Sequence, residues 1–424
     1  MRSLLCRTSG LRRCAGVVLG VALAMQGVGC SSPQRTSLTE AQLIEKRAVA
    51  RAEAAKTFGS AIDRVIARVE REAAAAGGVQ HTTLNLLAIS GGGDFGAYGA
   101  GFLIGWGKIA DPKWKRPDFD TVTGVSTGAL LAPFAFVGTD EACEFVESFY
   151  RTPKPDWMAE RGLLFFLPSN PSFMAIKGLE RDIRSAVDQK LLDQMAAQAD
   201  RGKLVVISAT DLDLGEQKFW DVALEAQAGA AAKDPSRIQS IMLASSAIPA
   251  VFPPVEIDGS LYADGGVTAN VFLRLDPRAP NGFLQRWKQK HPGEPFPKVR
   301  YWVIINNQLT QVPKTVQAEW PKVLGPSLAT AIRSSTLAEV RWLAAEAEYV
   351  KATWGIDVEV RVTSIPDDWR PPVPGDFKLE TMRSLADLGR LKGADPNSWT
   401  LWPQTLMPTV GESANATASQ DAKP

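Results

Sequence analysis

The chain has 424 residues, 45% hydrophobic and 22% charged, with 47 lysines and arginines against 46 acidic residues. That is enough apolar material for one large core or two modest ones, and it argues against a disordered or collagen-like chain. The first 29 residues hold Arg2, Arg7, Arg12 and Arg13 without an acid, which leaves 43 bases against 46 acids in the rest; with no basic stripe elsewhere, no nucleic-acid partner is expected.

The N-terminus has the three parts of an export signal: a basic start, an apolar run from Ala15 to Met25, and small residues before Cys30. That run is shorter than the roughly 20 residues a spanning helix needs. Cys30-Ser31-Ser32 resembles the lipobox of bacterial lipoproteins, with Gly27 where those motifs usually carry Leu. The resemblance implies acylation of Cys30 and a mature protein anchored to the periplasmic face of the outer membrane; the competing reading is ordinary cleavage near Gly29. Cys6 and Cys14 fall within the signal. The one internal cysteine, Cys143, sits in a helix-like apolar run and reads as a buried small hydrophobe. No Cys or His cluster has metal-ligand spacing, so neither a metal site nor a cofactor is expected.

A short polar tether follows Cys30. Ser37-Leu38-Thr39-Glu40 fits a capping box that opens an Ala-, Glu- and Arg-rich helix running to Ala76 and stopping at Gly77-Gly78. This helix either spaces the body from a membrane or packs over it. Leu84 to Ser90 reads as a buried strand, Ala97 to Ile109 as a helix, Asp120 to Thr123 as a second strand and Ala129 to Val137 as a second helix. Two strand-turn-helix units in succession indicate a doubly wound α/β architecture with parallel central strands. Further on, Leu179 to Ala199 has helical spacing, Leu204 to Ser208, Gln217 to Asp221 and Val299 to Ile305 read as strands, and Leu328 to Tyr349 as helix. The Pro-rich stretches 153–171 and 277–297 are expected to be surface loops, and the tail from Gly411 disordered.

Two turns carry chemistry. In Gly124-Val125-Ser126-Thr127-Gly128, glycines two before and two after the serine permit the tight strand-to-helix turn that exposes a nucleophilic hydroxyl; a plain helix-capping serine is the competing reading. Gly91-Gly92-Gly93-Asp94-Phe95-Gly96 leaves backbone N–H groups uncrowded at a helix start, suited to a developing oxyanion or, alternatively, to a phosphate. A serine nucleophile needs a base, and the chain has only His81 and His291, each in a polar context. An aspartate is therefore the better candidate.

In four places, in order, the chain resembles the patatin-like phospholipases: Ser90-Gly91-Gly92-Gly93 with Gly96, Gly124 to Gly128, Ala244-Ser245-Ser246-Ala247-Ile248-Pro249 with Phe252-Pro253-Pro254, and Asp264-Gly265-Gly266 with Asn270. Ala209-Thr210-Asp211-Leu212 with Gly215 adds to the likeness. The resemblance implies a three-layer α/β/α patatin-like fold with a mostly parallel central sheet. It also implies Ser126 as nucleophile, Asp264 as its direct base, and an oxyanion hole from Gly91, Gly92 and Gly93, with Gly96, Gly124, Gly128, Gly265 and Gly266 supporting the turns. Phe95 stands where the family often has a basic residue; Asp94 is expected to be exposed, and Asp211 and Asp213 structural.

The implied activity is hydrolysis of ester-linked acyl chains of phospholipids, lysophospholipids or related lipids, at a membrane surface reached through the lipid anchor. Two other readings remain: an α/β-hydrolase esterase using His291, and a non-catalytic envelope lipoprotein acting as a binding module. The expected division is a signal over 1–29, tether and helix over 30–80, a catalytic domain over 81–350, its extension over 351–410 and the tail over 411–424.

Overall fold

The computed structural model describes residues 35–160 and 172–402, so the signal segment, Cys30 and the tail lie outside the described residues. Nine strands of the described residues form one sheet, in the spatial order β11 (Thr400–Trp402), β10 (Val358–Ile365), β9 (Lys298–Gln308), β1 (Thr83–Ile89), β2 (Thr121–Gly124), β5 (Leu204–Asp211), β8 (Ser260–Asp264), β7 (Val255–Ile257), with β6 (Glu216–Asp221) paired to β5. The centre is parallel: β10, β9, β1, β2 and β5. The edges are antiparallel: β11 on β10, and β6, β8 and β7 on the other side. β3 (Ala159–Glu160), in the Pro-rich stretch 153–171 expected to be loop, pairs antiparallel with β4 (Met174–Ala175), just beyond it, as a separate two-stranded sheet.

Alternation along the strands sends side chains to two cores. Leu87, Ile89, Trp302 and Ile304 join the cluster on one face, and Leu86, Ala88, Val303 and Ile305 the cluster on the other. This is the three-layer α/β/α arrangement; the sheet is parallel at its centre, as expected, and antiparallel at both edges, with four pairings of each kind. On the first face lie α2 (Gly96–Trp106) and α3 (Thr127–Val137), each following a parallel strand, with α4 (Asp140–Arg151), α5 (Lys177–Ala186), α6 (Gln189–Asp200), α7 (Val222–Ala232) and α8 (Ser236–Ser245) around them. The helical spacing over Leu179 to Ala199 is thus two helices, because Asp188 caps the second by accepting from Leu191 N and breaks the run. Cys143 in α4 is buried, which pushes its thiol up to about 11.

The second face is covered by α1 (Glu40–Ala76), α9 (Phe283–Lys290) and α10 (Trp320–Trp354). The N-terminal cap of α1 is Thr39 with Gln42 as its reciprocal partner, two residues later than the capping box expected at Ser37. The helix packs over the body. Val65, Ile66 and Val69 enter the core, and the buried Arg68 pairs at 2.5 Å with Asp120, whose other oxygen accepts from Asn85 N in β1. Near its start, Arg51 reaches Glu216, and Arg35, ahead of the helix, reaches Asp213. The stretch 277–297, expected to be loop, contains α9: Phe283, Leu284 and Trp287 all face the core at helical spacing.

The C-terminal part builds into the same layers. β10 lies beside β9 in the sheet, and α11 (Leu379–Gly393) packs so closely on α2 that backbones touch. A Cβ on Gly101 would stand 2.1 Å from Ala386 O, and one on Gly389 2.1 Å from Tyr98 O. Small residues spaced by four on both helices produce that contact.

Candidate active site

Register brings the two candidate catalytic residues together. β2 pairs with the first half of β5, Gly124 standing opposite Ile207, whereas β8 pairs with the second half, Asp264 standing opposite Ala209. β6 occupies the other edge of β5 across Val206–Asp211, so β2 and β8 must share one edge and point their C-terminal ends at each other. The turn after β2 carries Ser126, and Asp264 ends β8. Distance in sequence is cancelled by two strands running head-on along a common neighbour.

Ser126 has φ 53° and ψ −124°, outside the ordinary regions for a residue with a side chain. It occupies the N-cap position of α3, yet its side chain makes no capping hydrogen bond, which removes the capping-serine reading. Backbone contacts hold the strained turn. Ser126 N donates to Ser245 Oγ at 3.0 Å, Ser245 Oγ donates to Ser208 O at 2.7 Å, and Ser246 Oγ donates to Ser126 O at 3.3 Å. Asp264 N donates to Ala247 O at 2.8 Å, so the Ala244–Pro249 segment grips both strand ends. On the far side, a Cβ on Gly128 would lie 2.1 Å from Ile89 O, which is why the elbow needs glycine there.

The Asp264 carboxyl is buried; desolvation pushes it up to about 6, against the hydrogen bond from the Ser126 side chain and that from Gly266 N, 2.8 Å long. Gly265 allows this closeness, since a Cβ there would meet Ser208 O at 2.5 Å. Thr210 Oγ1 donates to Asp264 O, fixing the strand end from behind.

The glycine loop divides its labour. Gly91 N donates to Asn270 Oδ1 at 2.9 Å, so this amide is not available to an oxyanion, contrary to the expectation for Gly91. Gly92 and Gly93 keep amides without a protein acceptor among the described residues, and Gly93, at φ 60°, faces the cavity beside Ser126. Ser90 and Asn306 brace the loop: Asn306 N donates to Ser90 Oγ, and Asn306 Nδ2 to Ser90 O, both at 2.9 Å. Gly96 is a close-approach position, as its Cβ would collide with Thr127 Oγ1.

Next to Ser126 lies an apolar cavity lined by Leu130, Phe134, Phe149, Met242, Ile248 and Phe252, with Phe377 at its side. Asp94, expected to be exposed, is buried instead: its carboxylate accepts from Phe377 N at 2.9 Å, and desolvation raises it to about 6. Phe95 meets Trp369 edge-on, ring centroids 5.5 Å apart. The two residues after the glycines therefore clamp the 366–378 segment, which supplies Phe377, rather than offering a basic side chain to the site. The Phe377→Ala variant is expected to lose roughly tenfold in kcat/KM on short acyl esters and little on long ones, by removing one aromatic wall. A chain-length series of p-nitrophenyl esters checks this, and an unchanged profile counts against it.

The histidines are elsewhere. His81 precedes β1, a strand of seven residues and thus roughly 20 Å from the elbow end. His291 follows α9, bonds Glu70 of α1 at 2.8 Å and stacks on Trp287 at 4.3 Å. No group of His, Cys, Asp or Glu among the described residues is arranged to hold a metal ion. Asp211 accepts from Asp213 N and Leu214 N and shapes its own turn.

Residues 87–275, which hold both strand ends and the glycine loop, match the family model of the patatin-like phospholipases. This segment is a patatin-like phospholipase domain. Two solved structures are similar. VipD from Legionella pneumophila is 11% identical with a TM-score of 0.34, over 75% of this chain and 68% of that one. Human GIVD cytosolic phospholipase A2, in complex with methyl gamma-linolenyl fluorophosphonate, is 12% identical with a TM-score of 0.21, over 66% of this chain and 47% of that one. No curated protein is significantly similar in sequence.

Proposed function

We propose that this patatin-like enzyme, a lipid acyl hydrolase, works through a Ser126–Asp264 dyad on phospholipids, lysophospholipids or related lipids. The observation that carries the reading is the head-on meeting of β2 and β8 along β5, which sets Ser126 beside the buried Asp264 carboxyl, a group that desolvation pushes up to about 6. Asp264 takes the Ser126 Oγ proton as the oxygen attacks the ester carbonyl carbon, and the carbonyl oxygen becomes an oxyanion that the Gly92 and Gly93 amides receive. Collapse breaks the bond to the alcohol, which leaves with the proton from Asp264. Water then attacks the acyl-Ser126 ester, giving its proton to Asp264, and the fatty acid departs with Ser126 Oγ reprotonated. A pKa between those of an exposed carboxyl and an alkoxide shortens the uphill proton transfer in both halves.

The acyl chain occupies the apolar cavity beside Ser126, where Leu130, Phe134 and Met242 offer it contact and no polar demand. Acylation of Cys30 would confine the enzyme to the periplasmic face of the outer membrane, where such lipids are available. Mass spectrometry of products from a mixed lipid extract tests the reading. Released fatty acids and the matching deacylated lipids are expected from wild type and not from Ser126→Ala; equal products from both would overturn it.

A further inference from the structure

The most conspicuous unabsorbed feature is the first half of α10. From Lys322 to Ser335, nearly four turns of helix, no residue is buried and most are exposed, whereas Val340, Leu343 and Ala344 in the second half enter the core. A half-helix with so little buried surface draws little stability from its own hydrogen bonds. This one also exposes Val323 and Leu324, each 43% accessible, close in sequence to Val316 at 42%.

Its charge is one-sided. Between Leu309 and Ala338 the sole acid is Glu319, already paired with Lys322 at 2.9 Å. Lys314 is exposed, and Arg333 donates to Gln308 O and to Gln311 Oε1 and Asn307 Oδ1; neither cation has a carboxylate ion-pair partner among the described residues. Exposed aliphatic side chains beside a segment with three cations and one acid match an anionic phospholipid surface, which accepts the first and attracts the net positive charge.

The base of this half-helix abuts the dyad. Ile332 Cδ1 lies 3.8 Å from where a Cβ on Gly266 would stand, and Gly266 N is the amide that holds the Asp264 carboxylate. One turn on, Thr336 Oγ1 accepts from Asn270 Nδ2 at 2.8 Å, while Asn270 Oδ1 receives the Gly91 amide. The exposed turns therefore begin beside the Gly266 and Asn270 loop that braces the dyad.

We propose that the Lys322–Ser335 half of α10, with Lys314, is a docking surface for anionic phospholipid bilayers that holds the enzyme against its substrate layer. This rests on the hydrolase reading above, and adds a contact separate from any lipid on Cys30.

The test uses the full chain in a Cys30→Ser background, so that acylation contributes nothing, with vesicles of phosphatidylcholine alone or containing about a third phosphatidylglycerol. Sedimentation should show preference for the anionic vesicles. Val323→Glu/Leu324→Glu should lower vesicle binding and vesicle-lipid hydrolysis about tenfold or more, leaving kcat/KM on a soluble short-chain ester within about twofold. Lys314→Ser should narrow the preference for anionic vesicles. Unchanged binding in the double variant, or equal loss on the soluble ester, would overturn the proposal. So would a shift of the parent from dimer to monomer in the double variant with no vesicle binding by either, which would assign the face to a second copy. Vesicle binding that depends on Val323 and Leu324, without hydrolysis of any ester, would sink the hydrolase reading and leave the docking surface standing.

Discussion

Replacing Asp264 with Asn is expected to lower kcat/KM by roughly four orders of magnitude and, at neutral pH, to raise stability. The first effect follows from the loss of the proton acceptor, since among the described residues no second carboxylate or imidazole is bonded to Ser126. The second follows from burial. The carboxyl titrates near 6 in the folded protein and near its ordinary 3.8 when unfolded, so the folded state binds the proton more tightly. Below pH 4 both states are protonated and burial of the ion costs nothing. As pH rises through 6 the folded protein must carry a buried charge, at a cost of about 3 kcal/mol. An amide carries none, keeps an acceptor for Gly266 N and keeps a polar partner for Ser126. Thermal unfolding of Asp264→Asn should therefore occur several degrees above wild type at pH 8, and the difference should vanish below pH 4. In wild type, kcat/KM should fall about tenfold from pH 7 to pH 5, tracking the ionised fraction of Asp264. A variant with reduced activity and no pH-dependent gain in stability would place the charge elsewhere.

Ser126→Ala is expected to have the larger kinetic effect, about five orders of magnitude, because no acyl-enzyme can form and only binding and the Gly92 and Gly93 amides remain. Its structural effect should be modest but not zero. Alanine at φ 53° keeps the strain of the elbow, while the Ser245 and Ser246 contacts are to backbone atoms of residue 126 and survive the change. Wild-type-like circular dichroism together with lost turnover is the expected pair of results. Residual turnover above one per cent would mean that another group attacks.

Much of the site was legible because its constraints are local. Glycine spacing around Ser126 reports a turn that tolerates no Cβ at Gly128, and an apolar strand before each glycine loop reports the parallel sheet. Contacts that cross the fold leave no such mark. Asn270 clamps the Gly91 amide from another loop, and Asp94 is buried only because the Phe377 backbone comes to meet it. β10 was missed for a related reason. Its Glu359 and Arg361 look like an exposed edge, yet Arg361 is buried between the rings of Trp114 and Trp302, 4.5 and 4.3 Å from their centroids. In α11, Gly389 and Gly393 read as poor helix formers until α2 is seen against them.

A fluorophosphonate probe, followed by digestion and mass spectrometry of the labelled peptide, tests the central claim most directly. Label is expected on the peptide that contains Ser126, slowed strongly in Asp264→Asn, absent in Ser126→Ala and unaffected in His291→Ala. Label that persists in Ser126→Ala, or disappears in His291→Ala, would contradict the dyad.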